Sequence, residues 1–157
     1  MTDDRERLYL DDLAAGQRFT SRSHKVDGAG IKAFAREFDP QPFHLDEAAA
    51  ASSLFGGLAA SGWHTAAVTM RLLVGSVPLA GGVIGAGGEI AWPRPTRPGD
   101  ALTVESEVVE VTPSRSRPER GTVILRSETK NQRGEVAQTL TARLVVPRRP
   151  RAEGNAG

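Results

Sequence analysis

Between Trp63 and Val74 the chain reads WHTAAVTMRLLV, and its apolar residues Trp63, Ala66, Ala67, Val68, Met70, Leu72, Leu73 and Val74 cover most of the circumference of a helix. A helix that is apolar nearly all round has no stripe to offer water, so the rest of the fold has to enclose it. Ser61-Gly62 supplies the start signal just ahead of it. The pattern predicts a central helix from about Trp63 to Val74, with Trp63 and Met70 packed into the core. The remaining segments are then read as what wraps it.

The flanking sequence supplies suitable wrapping. Gly82 to Pro93 is a glycine-studded strand, and Ala101 to Thr112 alternates, with Leu102, Val104 and Val108 on one face and Thr103, Glu105 and Glu107 on the other. Thr122 to Lys130 and Glu135 to Val146 form a hairpin across Asn131-Gln132-Arg133-Gly134, and Val136, Leu140, Leu144 and Val146 share a face of its second strand. Upstream, Gln17 to Val26 reads as a first strand. Asp27 then caps a helix whose Ile31, Phe34, Ala35 and Phe38 follow an i, i+3, i+4, i+7 spacing. Asp46 to Ser53, acidic at its start and rich in alanine, reads as a short helix. Helices followed by a run of antiparallel strands specify an α+β fold: one curved antiparallel sheet around a long central helix. At 157 residues the chain is one domain with a core large enough to need no staples. Residues 8–147 form that domain. The charged stretch 1–7 and the tail 148–157, which has no apolar periodicity, are expected to be flexible ends.

Composition narrows the function. The absence of cysteine excludes a disulfide framework, a thiolate zinc site and a cysteine nucleophile, and it fits a cytoplasmic location. A net charge of +1 provides no field for nucleic acid, and five Phe, two Trp and one Tyr, scattered singly, make no stacking platform. No apolar run approaches the ~20 residues of a membrane span, and the opening MTDDRERLYL is acidic where a signal peptide is basic. Gly81 to Glu89 holds no G-x-G-x-x-G and leads to Trp92-Pro93 instead of a helix, so no dinucleotide site is expected there. There is no G-x-S-x-G elbow. His24, His44 and His64 lack metal-ligand spacing, so no metal is expected. The expected partners are a small molecule and copies of the same chain.

The stretch with chemical potential is FDPQPFHLDE, residues 38 to 47. On a helix Asp39 and His44 would point in different directions, about 140° apart. Pro40 and Pro42 rule that helix out, each lacking an N–H and pushing the residue before it toward extended geometry. Asp39 and His44 then stand at the ends of a short stiff loop from which both side chains lean into one cleft. A carboxylate beside an imidazole brings together reference pKa values near ~4 and ~6.5, suited to proton transfer near neutrality. The alternatives are structural: Asp39 capping a turn, and His44 as a hydrogen-bonded loop residue ahead of a cap at Asp46.

Taken together, DPQPFHLD, FGGLAASGWHTA and WPRPTRPGD resemble the MaoC-like dehydratases, hot-dog relatives of the (R)-specific enoyl-CoA hydratases. The likeness covers roughly residues 8 to 147, and its most specific part is the D-x(4)-H motif. It implies a hot-dog domain with a short helical overhang carrying the active-site loop, and Asp39 and His44 fall on the two catalytic positions. Gly62 falls on the glycine that opens the central helix and whose N–H serves as oxyanion donor. The implied reaction is hydration or dehydration of an acyl thioester, with coenzyme A present as part of the substrate and no separate cofactor. A homodimer or higher homo-oligomer, its two sheets side by side, is implied as well. Three positions depart from the pattern: Gln41 where the family has Asn, Ser61 where His is frequent, and Met70 where some relatives place a pocket serine.

Ser61 and Trp63 flank the helix start and are candidate substrate contacts. For the phosphates of coenzyme A the candidates are Arg94, Arg97, Arg115, Arg117 and Arg120, whose planar forks suit phosphate. Each of these arginines also has a plain reading as a solvated loop residue. Two other functions fit the same fold: a thioesterase, which would need a carboxylate on the central helix where Trp63 to Val74 has none, and a non-catalytic acyl-thioester-binding module.

Overall fold

The computed structural model describes residues 6–151; of the two expected flexible ends, 1–5 and 152–157 lie outside the described residues. Strands β1 (Arg18–Thr20) and β2 (His24–Lys25) lead into helix α1 (Gly28–Phe38), followed by short helices α2 (Pro42–Leu45) and α3 (Glu47–Ala51) and the long helix α4 (Gly62–Ser76). Strands β3 (Gly85–Ala91), β4 (Ala101–Pro113), β5 (Arg120–Lys130) and β6 (Val136–Pro147) complete the chain. The pairings among these strands are antiparallel, in the order β1-β4-β5-β6-β3, with β2 also on β4, and a lone parallel bridge joins Leu8 to Leu79. A curved sheet cradling one helix is the expected α+β hot-dog architecture.

Local signals account for the helices. Asp27 caps α1 by accepting from the Gly30 amide at 2.7 Å, Asp46 caps α3, and Ser61 caps α4 through the Trp63 amide. The strands alternate as read: Leu102, Val104 and Val108 face inward on β4, as do Val123 and Leu125 on β5 and Leu144 and Val146 on β6. They close on Val68, Leu72 and Leu73 of α4, side chains worth roughly 1.5–3 kcal/mol each when fully buried. Two hydroxyl pairs fix α4 in place: Thr65 Oγ1 meets Thr96 Oγ1 of the β3–β4 connection at 2.8 Å, and Thr69 Oγ1 meets Thr129 Oγ1 of β5 at 2.6 Å. Paired polar groups in a dry seam have few alternative arrangements, so they set the helix's rotation and height as well as its contact. Gly88 on β3 permits another close approach, because a Cβ there would sit 2.4 Å from the Thr141 carbonyl of β6.

Four expectations are corrected. Gln17 to Val26 is two short strands, because the Ser21 hydroxyl takes the Val104 amide at 2.8 Å and interrupts the ladder. Pro40 and Pro42 do not exclude a helix, since Pro42 stands at the first position of α2, where its missing N–H has no intrahelical partner to lose. The central helix is not enclosed all round. Trp63 is 60 % exposed, Met70 43 % and Val74 47 %, because a single sheet covers only one side of a cylinder. Finally, the described part of the tail is held down: Arg148 and Arg149 clasp Asp11 and Asp12 of a 3-10 turn, and Arg149 stacks over Tyr9. The Arg149 amide and the Arg148 guanidinium hold the Asp11 carboxyl below its usual range, against the opposing effect of desolvation. Among the described residues, no helix is long and apolar enough to cross a membrane, and no cluster of three or more His, Cys, Asp or Glu could hold a metal.

Candidate active site

Asp39 ends α1 as its C-cap, and His44 rides on the single turn of α2. The short helix turns the imidazole back over the preceding residues. His44 Nε2 comes to 3.2 Å from Asp39 Oδ2, and Nδ1 to 2.6 Å from the carbonyl of Ala59. A carbonyl only accepts, so Nδ1 carries a proton and Nε2 is the nitrogen free to exchange one with the carboxylate. His44 is 4 % exposed and is boxed by Phe43, edge-on at 4.6 Å, and by Phe55. These rings and the Ala59 bond leave the imidazole little freedom to rotate.

Asp39 is tuned by its neighbours. Burial works to raise its pKa, but hydrogen bonds from Ser61 and Gln41 and the adjacent imidazole outweigh it and hold the carboxyl below the ordinary aspartate value. Gln41 Nε2 donates to Asp39 Oδ1 at 2.5 Å. Thus Ser61 serves α4 twice, capping its first turn and bonding the carboxylate.

The tip of α4 is the other half of the site. The amides of Trp63, His64 and Thr65 are taken by the Ser61 hydroxyl or carbonyl. Gly62, as the first helical residue, is left with an N–H that has no partner within the helix, at the positive end of the helix dipole. His44 and Gly62 border one cleft of about 380 Å³, together with Gln41, Phe55, Trp92 and Thr96. A proton-exchanging imidazole and a backbone donor bordering one cleft can activate a water and hold a developing oxyanion.

The other predicted residues separate. Trp63 is exposed and turned toward a second cavity behind the cleft. Arg94 borders the cleft, with its guanidinium near Glu135 and the Val136 carbonyl. Arg97 is spent elsewhere, donating to the carbonyls of Phe55, Gly57 and Leu58, where it stiffens the loop that leads into α4. Arg115 and Arg117 lie in the β4–β5 turn and Arg120 opens β5. The paired strands run from Thr103↔Lys130 beside the α4 tip to Pro113↔Gly121, about 33 Å of extended chain. No arginine of that turn reaches the cleft of its own chain.

Sequence reading missed the Ala59 carbonyl, Trp92 and Gln138. Trp92 lies against Gly62, and its Nε1 donates to Gln138 Oε1 at 2.9 Å. The carbonyl carries no sequence signal at all. Gln138 had one, as a polar residue on the face of β6 otherwise formed by Val136, Leu140, Leu144 and Val146.

Comparison with known proteins finds relatives in sequence and in fold. The MaoC like domain profile matches residues 13–131. The chain is 36% identical over 129 residues to the uncharacterized protein YdeM of Bacillus subtilis, a match spanning 80% of this chain and 89% of that one. It superposes on the crystal structure of a MaoC-like dehydratase from Rhodospirillum rubrum with a TM-score of 0.90 and 67% identity, covering 91% of this chain and 99% of the other. The (R)-hydratase from A. caviae involved in PHA biosynthesis superposes at 0.69 with 30% identity, over 86% of this chain and 98% of that one. The R-hydratase PhaJ1 from Pseudomonas aeruginosa gives 0.74 at 26% identity, over 91% and 88%.

Proposed function

The chain belongs to the MaoC-like domain family, which places it with hydratases and dehydratases, and on that footing we propose that it adds water reversibly to a 2-enoyl thioester of coenzyme A, as an (R)-specific hydratase. The observation that carries the reading is that His44, whose Nε2 lies 3.2 Å from Asp39 Oδ2, lines the same cleft as Gly62.

A water held by the pair gives up a proton to it as its oxygen bonds to C3. The C2=C3 electrons shift toward the carbonyl, and the resulting enolate oxygen takes the Gly62 N–H. The proton held by the pair is then delivered to C2, so one water is added across the double bond and the pair is restored. The locked Nδ1–H supports this division of labour, because it leaves Nε2 as the one ring atom that changes protonation. Depression of the Asp39 pKa keeps the carboxylate ionised at neutral pH, ready to bind the water and steady an imidazolium. Arg94 at the cleft mouth is the best-placed cation for the coenzyme phosphates. The thioesterase alternative finds no carboxylate anywhere on α4.

The bared Trp63, Met70 and Val74 and the edge position of β3 support a homodimer. A monomeric mass at micromolar concentration would contradict it.

Loss of enoyl absorbance on mixing with crotonyl-CoA tests the reaction, and thiol release would report hydrolysis instead. Asp39→Asn and His44→Ala should each lower kcat/KM by roughly 10²- to 10⁴-fold while circular dichroism stays native. Turnover near that of the wild type in either variant refutes the mechanism.

A further inference from the structure

We infer that Trp92, held in place by Gln138, limits the length of acyl group the cleft accepts; the inference rests on the acyl-thioester reading above.

Trp92 stands between two spaces. On one side it borders the cleft and packs so closely on Gly62 that a Cβ there would meet the indole at 2.7 Å. On the other side it meets Trp63 edge-to-face, with ring centroids 5.3 Å apart. Trp63 in turn lines a second cavity of about 350 Å³, with Met70, Ile90, Leu140 and Leu144 on its almost wholly apolar walls. The paired indoles therefore divide the space beside the reacting groups from a groove suited to an alkyl chain.

One hydrogen bond orients the indole within these contacts. An indole N–H can only donate, so the Gln138 oxygen must face Trp92 and the amide nitrogen must face away. Among the described residues that nitrogen finds no partner, although Gln138 is fully buried. For stability alone the arrangement is poor, because an apolar side chain of similar size would leave no orphaned donor. What the carboxamide accomplishes is to fix the indole across the passage. A short acyl group fits in front of it, whereas a longer one needs the indole to swing aside into the groove.

The test compares kcat/KM for four-carbon and eight-carbon 2-enoyl-CoA in the wild type, Gln138→Leu, Trp92→Phe and the double variant. The wild type should favour the four-carbon substrate. Each single variant should raise the eight-to-four ratio about tenfold or more, in line with the discrimination a few methylenes can produce. The double variant should go no further, since both changes break one bond. Gln138→Leu should also melt at or above the wild-type temperature. In Trp63→Phe, which leaves Trp92 as the one tryptophan, the indole N–H should be protected from hydrogen exchange, and adding Gln138→Leu should remove that protection. An unchanged ratio in folded single variants, a wild-type preference for the eight-carbon substrate, or effects that multiply in the double variant would overturn the inference alone. Failure of the wild type to hydrate any enoyl-CoA would overturn the acyl-thioester reading and this inference with it.

Discussion

Substituting Gly62 by alanine separates the role of the helix tip from that of its amide, because the N–H survives. In the folded chain the added Cβ would lie 2.7, 2.9 and 3.0 Å from three indole carbons of Trp92. The indole would have to withdraw by about 0.7 Å, from 2.7 to the 3.4 Å at which ordinary contact begins. It is not a loose chain end, since the bond to Gln138 and the contact with Trp63 hold it from behind. Overpacking of this kind costs about 1–3 kcal/mol, and the better helix propensity of alanine returns up to ~1 kcal/mol. A net loss of up to about 3 kcal/mol lowers Tm by up to roughly 12 °C in a chain of this size. Displacing either the amide or the wall by most of an ångström should reduce kcat/KM by up to about a hundredfold. Differential scanning fluorimetry and the crotonyl-CoA assay would measure both. Combining Gly62→Ala with Trp92→Leu should recover most of the stability. A Gly62→Ala protein that melts and turns over like the wild type would refute the close packing of helix tip and indole.

Two further outcomes follow from buried groups. Thr69→Val leaves the Thr129 hydroxyl without its partner in a dry site and should cost about 1–3 kcal/mol, whereas Thr69→Val with Thr129→Val should be milder than the single change; additive losses in denaturant titrations would contradict the pairing. His64 stacks on Phe34 at 4.8 Å with Nδ1 buried and unpartnered. Burial first, and then the neighbouring His24, depress its pKa below 6.5 against the opposing pull of Asp27. The unfolded chain therefore binds this proton more readily than the folded one, so stability is full above pH 6.5 and falls as pH drops through the depressed value. His64→Phe should flatten that slope in urea titrations between about pH 7 and 5, and an unchanged slope would show that His64 is not its source.

The parts legible in the sequence were those set by neighbours along the chain. Asp27, Asp46 and Ser61 announce helix starts because a cap acts on amides two or three residues away. The alternation of Ala101 to Thr112 foretells its buried face because a strand's side chains repeat every two residues. Asp39 and His44 were readable as a pair for the same reason, being five residues apart, and even there the backbone between them holds a helical turn that Pro42 opens instead of blocking.

Tertiary structure alone decided what depends on register and rotation. Trp92 reaches Gln138 across 46 residues and Thr69 reaches Thr129 across 60, contacts that exist because β6 and α4 settle at one height on the sheet. A one-residue slip of a strand would turn each of these side chains to the opposite face, so no local pattern can announce them. The same holds for Arg97, whose fork is consumed by three carbonyls of a loop some 40 positions away. It holds too for α4, whose residues are apolar on all sides although the single sheet covers only one of them, the side on which Thr69 meets Thr129 of β5.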